Sequence, residues 1–87
     1  MPYINSSDRS KFDISHLEPN SPGELNYVIS ELCAAYLSRK GMSYTHCNEI
    51  IGALECIKLE FYRRLTAPYE DQKIAENGDI SYQNLSE

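Results

Sequence analysis

Between Lys40 and Tyr44 the chain has three residues, Gly41-Met42-Ser43, in which to finish one helix and begin another. On the upstream side, Leu25, Val28, Ile29, Leu32, Cys33 and Tyr36 recur at the spacing of a helix face. On the downstream side, Cys47, Ile50, Ile51, Leu54, Ile57, Phe61 and Leu65 do the same. A connection this short forces the two helices to lie as antiparallel neighbours. The expected fold is therefore all-α: an antiparallel helical hairpin over residues 22–65, with a kinked short C-terminal helix and an extended tail.

The helix ends carry their own signals. Ser21 reads as an N-cap, Pro22 as the first helical residue and Glu24 as the acceptor that completes a capping box. Arg39 and Lys40 suit the negative end of the helix dipole, and Gly41 suits a stop. Ser43 or Thr45 caps the second helix, which runs from about Tyr44 to Leu65. Pro68 is expected to break the run, because it lacks an N–H and crowds the carbonyl four residues back. Ala67, preceding it, is expected to leave the α region. Tyr69 to Glu76 then forms a short helix that Asn77-Gly78 ends. Ile80 and Tyr82 alternate with polar residues and permit an edge strand or an extended arm. Asp8 to Leu17 permits a short helix with Phe12, Ile14 and Leu17 turned inward.

Size limits the core. A chain of 87 residues reads as one small helical domain, with an N-terminal arm over 1–20, the hairpin over 22–65, and a short helix and tail over 68–87. Such a domain is marginal as a monomer and usually needs a staple or a second subunit. Three cysteines, with no secretory pattern at Met1-Pro2-Tyr3, point to free thiols in the cytoplasm rather than disulfides. No apolar run is long enough to span a membrane. The second long helix carries Gly52, Cys56 and Leu59 opposite its main stripe, so it is expected to be covered on two sides. A homo-oligomer is the expected state, with Tyr27, Gly52, Cys56 and Leu59 as interface candidates.

Charge excludes one class of partner. The net charge of −5 disfavours general nucleic-acid binding. Positive charge is nonetheless concentrated at Lys58, Arg63 and Arg64. Arginine matches the geometry of a phosphate, and tyrosine offers a stacking face. Lys58, Tyr62, Arg63, Arg64 and Tyr69 are therefore the candidate residues for an anionic ligand. Lys58 and Arg63 project about 140° apart on one helix, so they converge only through a second subunit or a fold-back at Pro68. The competing reading is that Glu60 pairs with Arg63 and Arg64 on a wet helix face. His46, Cys33, Cys47 and Cys56 lack metal-ligand spacing, so no metal or other cofactor is expected. No nucleophile has a base and an orienting group at hand, so no catalytic residue is assigned and no enzyme is expected.

The blocks Pro22-Gly23-Glu24-Leu25-Asn26-Tyr27-Val28-Ile29, Leu59-Glu60-Phe61-Tyr62-Arg63-Arg64, Ala67-Pro68-Tyr69-Glu70-Asp71 with Lys73-Ile74, and Glu76-Asn77-Gly78-Asp79 resemble the signature of a small family of unknown function from bacteria and their phages. The resemblance covers about residues 1–82. It implies a setting and no catalytic residue. The leading expectation is a non-enzymatic, homo-oligomeric phage-type accessory protein that captures a small anionic ligand such as a nucleotide signal, in a counter-defence role. The alternative is a protein–protein module that binds and inhibits or adapts a host or phage protein.

Overall fold

The structure is a computed structural model that describes residues 4–85. It is all-α. Among the described residues the order is α1 (Ser6–Arg9), α2 (Pro22–Lys40), α3 (Tyr44–Phe61), a π turn (Tyr62–Thr66), α4 (Ala67–Asn77) and a 3₁₀ turn (Ser81–Leu85), with no strand. Two compact units divide the chain, Met1–Leu54 and Glu55–Glu87.

In the first unit the chain enters α2 as the residues dictate. The Glu24 N–H donates to Ser21 Oγ at 3.1 Å, and Pro22 occupies the first turn. Glu24 reaches back one residue further than a standard capping box, accepting at 2.8 Å from the Asn20 N–H rather than from Ser21. Ser21→Ala is expected to cost about 1 kcal/mol, read as a lower urea midpoint in far-ultraviolet circular dichroism. Gly41 ends α2 at φ 94°, a conformation costly for any residue with a Cβ, and its N–H bonds the Leu37 carbonyl at 2.7 Å. Two residues on, Ser43 Oγ accepts from the His46 N–H at 3.1 Å and opens α3.

Within the first unit, α2 and α3 as far as Leu54 are tied together across the short link, as far as the expected hairpin is described. Val28, Cys33, Tyr36 and Leu37 on α2, and His46, Cys47, Ile50 and Leu54 on α3, are half-buried. Across the pair the Tyr36 hydroxyl donates to Glu49 Oε1 at 2.5 Å. Coverage stops there: no described residue in either unit is fully buried.

The N-terminal segment departs from expectation. Helix α1 spans only Ser6–Arg9, and Phe12 and Ile14 are exposed, while Leu17 is half-buried. Beyond the stop Asp13 holds a turn of its own. Its carboxylate accepts from both the Ser15 N–H (3.1 Å) and the Ser15 hydroxyl (2.6 Å), a local turn that competes with the helix ladder.

In the second unit the break expected at Pro68 does not occur. Ala67 stays in the α region at φ −63°, ψ −46°, and its N–H bonds the Tyr62 carbonyl, five residues back. The wide turn accommodates a ring that has no N–H and would otherwise crowd the Arg64 carbonyl. The irregularity sits before the proline, and α4 continues to Asn77. Gly78 stops it at φ 89°, with its N–H on the Ile74 carbonyl at 2.8 Å. The tail is a correction too. Ser81–Leu85 winds into a 3₁₀ turn, so Tyr82 belongs to neither a strand nor an extended arm.

Candidate functional site

All the candidate geometry lies in the unit Glu55–Glu87. Residues 62 and 70 are eight apart, which on an unbroken α-helix puts them about 80° out of line. The π turn absorbs roughly one residue of that rotation and brings them onto one face. The Tyr62 hydroxyl accordingly donates to Glu70 Oε1 at 2.7 Å. One turn further along α4, the Lys73 ammonium lies 5.4 Å from the Tyr69 ring centroid, in cation–π range, and 3.3 Å from Glu76 Oε1. The turn at Gly78 and the 3₁₀ turn then carry Ile80 and Tyr82 back alongside α4.

The result is an open groove of about 560 Å³ whose lining side chains are exposed. Tyr62, Tyr69 and Tyr82 line it with three rings, Ile74 and Ile80 with apolar side chains, and Lys73, Glu70, Asn77 and Asp79 with polar ones. Both acids are already used as acceptors. Glu70 takes the Tyr62 hydroxyl, and Asp79 takes the Ile80 N–H at 2.7 Å.

Of the five residues read as anion-binding, the structure brings two, Tyr62 and Tyr69, into this groove. The three cations lie elsewhere. Arg63 and Arg64 each reach Glu60 at 3.1 Å, and Lys58 lies 3.6 Å from Glu55. The two arginine pairs are those of the competing reading, and the Lys58–Glu55 pair was not foreseen; each is worth a few tenths of a kcal/mol. Sequence reasoning missed Lys73 and Tyr82. The Tyr69–Lys73 spacing of four was a usable signal for Lys73. Nothing local marked Tyr82, which depends on the tail reversing.

The four interface candidates are all exposed. Tyr27 stands outward on α2, Cys56 and Leu59 on α3, and a Cβ built at Gly52 meets nothing within 4 Å. Among the described residues no three His, Cys, Asp or Glu side chains gather where they could hold a metal ion. None of the helices described is long and apolar enough to cross a membrane.

Among the described residues the Tyr36 and Tyr62 hydroxyls carry a perturbed titration. The bond to Glu49 raises the pKa of Tyr36 above the ordinary tyrosine value, and the bond to Glu70, with the Glu70 and Asp71 charges behind it, raises that of Tyr62. A raised folded-state pKa means that these contacts hold fully below the ordinary tyrosine range and are lost as pH rises through the raised values. In an alkaline titration of tyrosinate absorbance, Tyr36 and Tyr62 should ionise late. Tyr36→Phe and Tyr62→Phe should each remove one late group.

The chain belongs to a family described as a domain of unknown function (DUF6899), whose model matches residues 1–80. No curated protein and no solved structure matches it.

Proposed function

We propose that this family member is a non-enzymatic capture protein of phage type, self-associating and cytoplasmic, that sequesters a small nucleotide signal in a counter-defence role. The observation that carries the reading is the groove of Tyr62, Tyr69 and Tyr82. Aromatic faces hold nucleobases by stacking whatever the base, and a side-chain cation beside them answers the phosphate. Lys73 is that cation, provided it exchanges Glu76 for the phosphate. Asn77 and Asp79 offer acceptors to a base edge. The weight of recognition thus moves from the arginines to the tyrosines. Arg63 and Arg64 add to phosphate binding only by exchanging Glu60 for the ligand.

A thermal-shift screen tests this reading with linear and cyclic mono- and dinucleotides, alongside nucleosides and inorganic phosphate. The expected result is stabilisation by one or more nucleotides, weaker stabilisation by the matching nucleoside, and none by phosphate alone. Absence of any shift at millimolar nucleotide in folded protein removes the reading.

One observation favours a second reading, a module that docks on a host or phage protein. Large apolar side chains, Tyr27 and Leu59 among them, stand in the open on α2 and α3. A stoichiometric protein partner lost on Tyr27→Ala or Leu59→Asp, and kept in Arg63→Ala, would replace ligand capture with this role.

A further inference from the structure

We propose that the tyrosine groove selects nucleotides of low charge: a base joined to a singly charged phosphodiester, as in a cyclic mononucleotide, in preference to a terminal monophosphate, diphosphate or triphosphate. The inference rests on the capture reading above and names the class of nucleotide that reading takes.

Charge decides the preference. Among the described residues, Lys73 is the one cation in the lining, and it faces two carboxylates there, Glu70 and Asp79. Lys73 is also engaged, with its ammonium 3.3 Å from Glu76 Oε1 and 5.4 Å from the centre of the Tyr69 ring. A second observation gives the same sign to the wall at Tyr62. The bond to Glu70, together with the Glu70 and Asp71 charges, raises the pKa of the Tyr62 hydroxyl, as an electronegative surrounding does.

The basic cluster does not offset these acids. Arg63 and Arg64 stand outside the lining and each reaches Glu60 at 3.1 Å, while Lys58 lies 3.6 Å from Glu55.

One ammonium answers one phosphate charge, by exchanging Glu76 for it. A second charge meets no second cation in the lining and faces Glu70 and Asp79 instead. A diester carries a single charge. A terminal monophosphate carries about −1.5 to −2 near neutral pH, and each further phosphate adds to that. The groove is open, so water and salt moderate the repulsion. At about 8 Å in a medium close to water, each added charge loses roughly two- to threefold in affinity per facing carboxylate before salt screens it.

Isothermal titration in magnesium-free buffer at about 20 mM ionic strength tests the proposal with cyclic AMP, AMP, ADP and ATP, and with the guanine series in parallel. Adenosine and guanosine serve as neutral references. One base within each series leaves stacking constant, so the ranking reports charge. The cyclic nucleotide is expected to bind tightest, the monophosphate about two- to fivefold more weakly, and the triphosphate at least about tenfold more weakly. These gaps should shrink at about 0.5 M salt. Asp79→Asn removes a charge while keeping an acceptor for the Ile80 N–H, and Glu70→Gln does so while keeping one for the Tyr62 hydroxyl. Each should narrow the gap between ATP and cyclic AMP by improving ATP. Equal affinities across a series, or a triphosphate that binds tightest, overturn the charge selection and leave capture standing. So does a gap that neither variant changes. Absence of binding by every member, the nucleosides included, removes capture and this inference together.

Discussion

Pro68→Ala is expected to make the chain more helical and more stable while disabling the groove. With a backbone N–H restored at 68 and no ring against the Arg64 carbonyl, the π turn loses its cause. The segment should relax to α-helical hydrogen bonding. The gain is bounded by the usual alanine-over-proline difference, about 3 kcal/mol in a helix interior. It should fall below that bound, because the wide turn already relieves part of the clash. The loss is geometric. Closing the π turn rotates α4 by about 100° about its axis relative to Tyr62, which separates the Tyr62 hydroxyl from Glu70. Two readouts check this together. Ellipticity and the urea midpoint should rise, and the late-ionising Tyr62 should return to the ordinary range. An unchanged tyrosine titration in a more stable variant would show that Pro68 does not set the turn.

This proline marks the limit of what could be read from the residues. Ser21, Gly41, Ser43 and Gly78 act within a turn of themselves, through one hydrogen bond or one backbone angle, and each does in the structure what its type implies, while Glu24 bonds the Asn20 N–H instead of closing the capping box on Ser21. Pro68 also acts locally, but two local responses satisfy it: a break after the preceding residue, or a widened turn before it. The sequence favours the break through the pre-proline restriction on Ala67. The structure takes the widened turn, keeping Ala67 helical. The choice rests on the continuous hydrogen-bonded run from Tyr44 to Asn77, which a break would have interrupted.

The site follows the same division. Tyr62 and Tyr69 were read as stacking faces beside the basic cluster, and both line the groove. Lys58, Arg63 and Arg64 attracted attention as a charge cluster, yet Glu55 and Glu60 lie within one helical turn of them and engage them. Spacing predicted the pairing of Glu60 with both arginines, and the competing reading stated it; the Glu55–Lys58 pair was not foreseen. Tyr82 was not legible at all. Its place beside α4 requires the chain to reverse at Gly78 and wind at Ser81–Leu85, two events no side-chain period records.

Tyr69→Ala is expected to weaken capture of whichever nucleotide the screen identifies by about 5- to 150-fold, the range for removing one base–aromatic stack of 1–3 kcal/mol. Isothermal titration gives the number directly. Tyr69 is the cleaner choice than Tyr62, whose hydroxyl also ties the π turn to α4 and whose loss confounds stacking with anchoring. The phenylalanine variants separate the two roles. Tyr69→Phe keeps a stacking face, and no hydroxyl partner is seen for that ring, so affinity should hold within about twofold. Tyr62→Phe keeps the face and loses the bond to Glu70, so affinity should fall although the ring remains. Arg63→Ala supplies the contrast. An arginine already committed to Glu60 contributes mainly long-range attraction, so its loss should cost less than Tyr69→Ala, and the difference from wild type should shrink as salt screens it. If Arg63→Ala cost more than Tyr69→Ala at every salt concentration, recognition would centre on the phosphate, and the tyrosine groove would have to give way to an arginine site that forms only when Glu60 lets go.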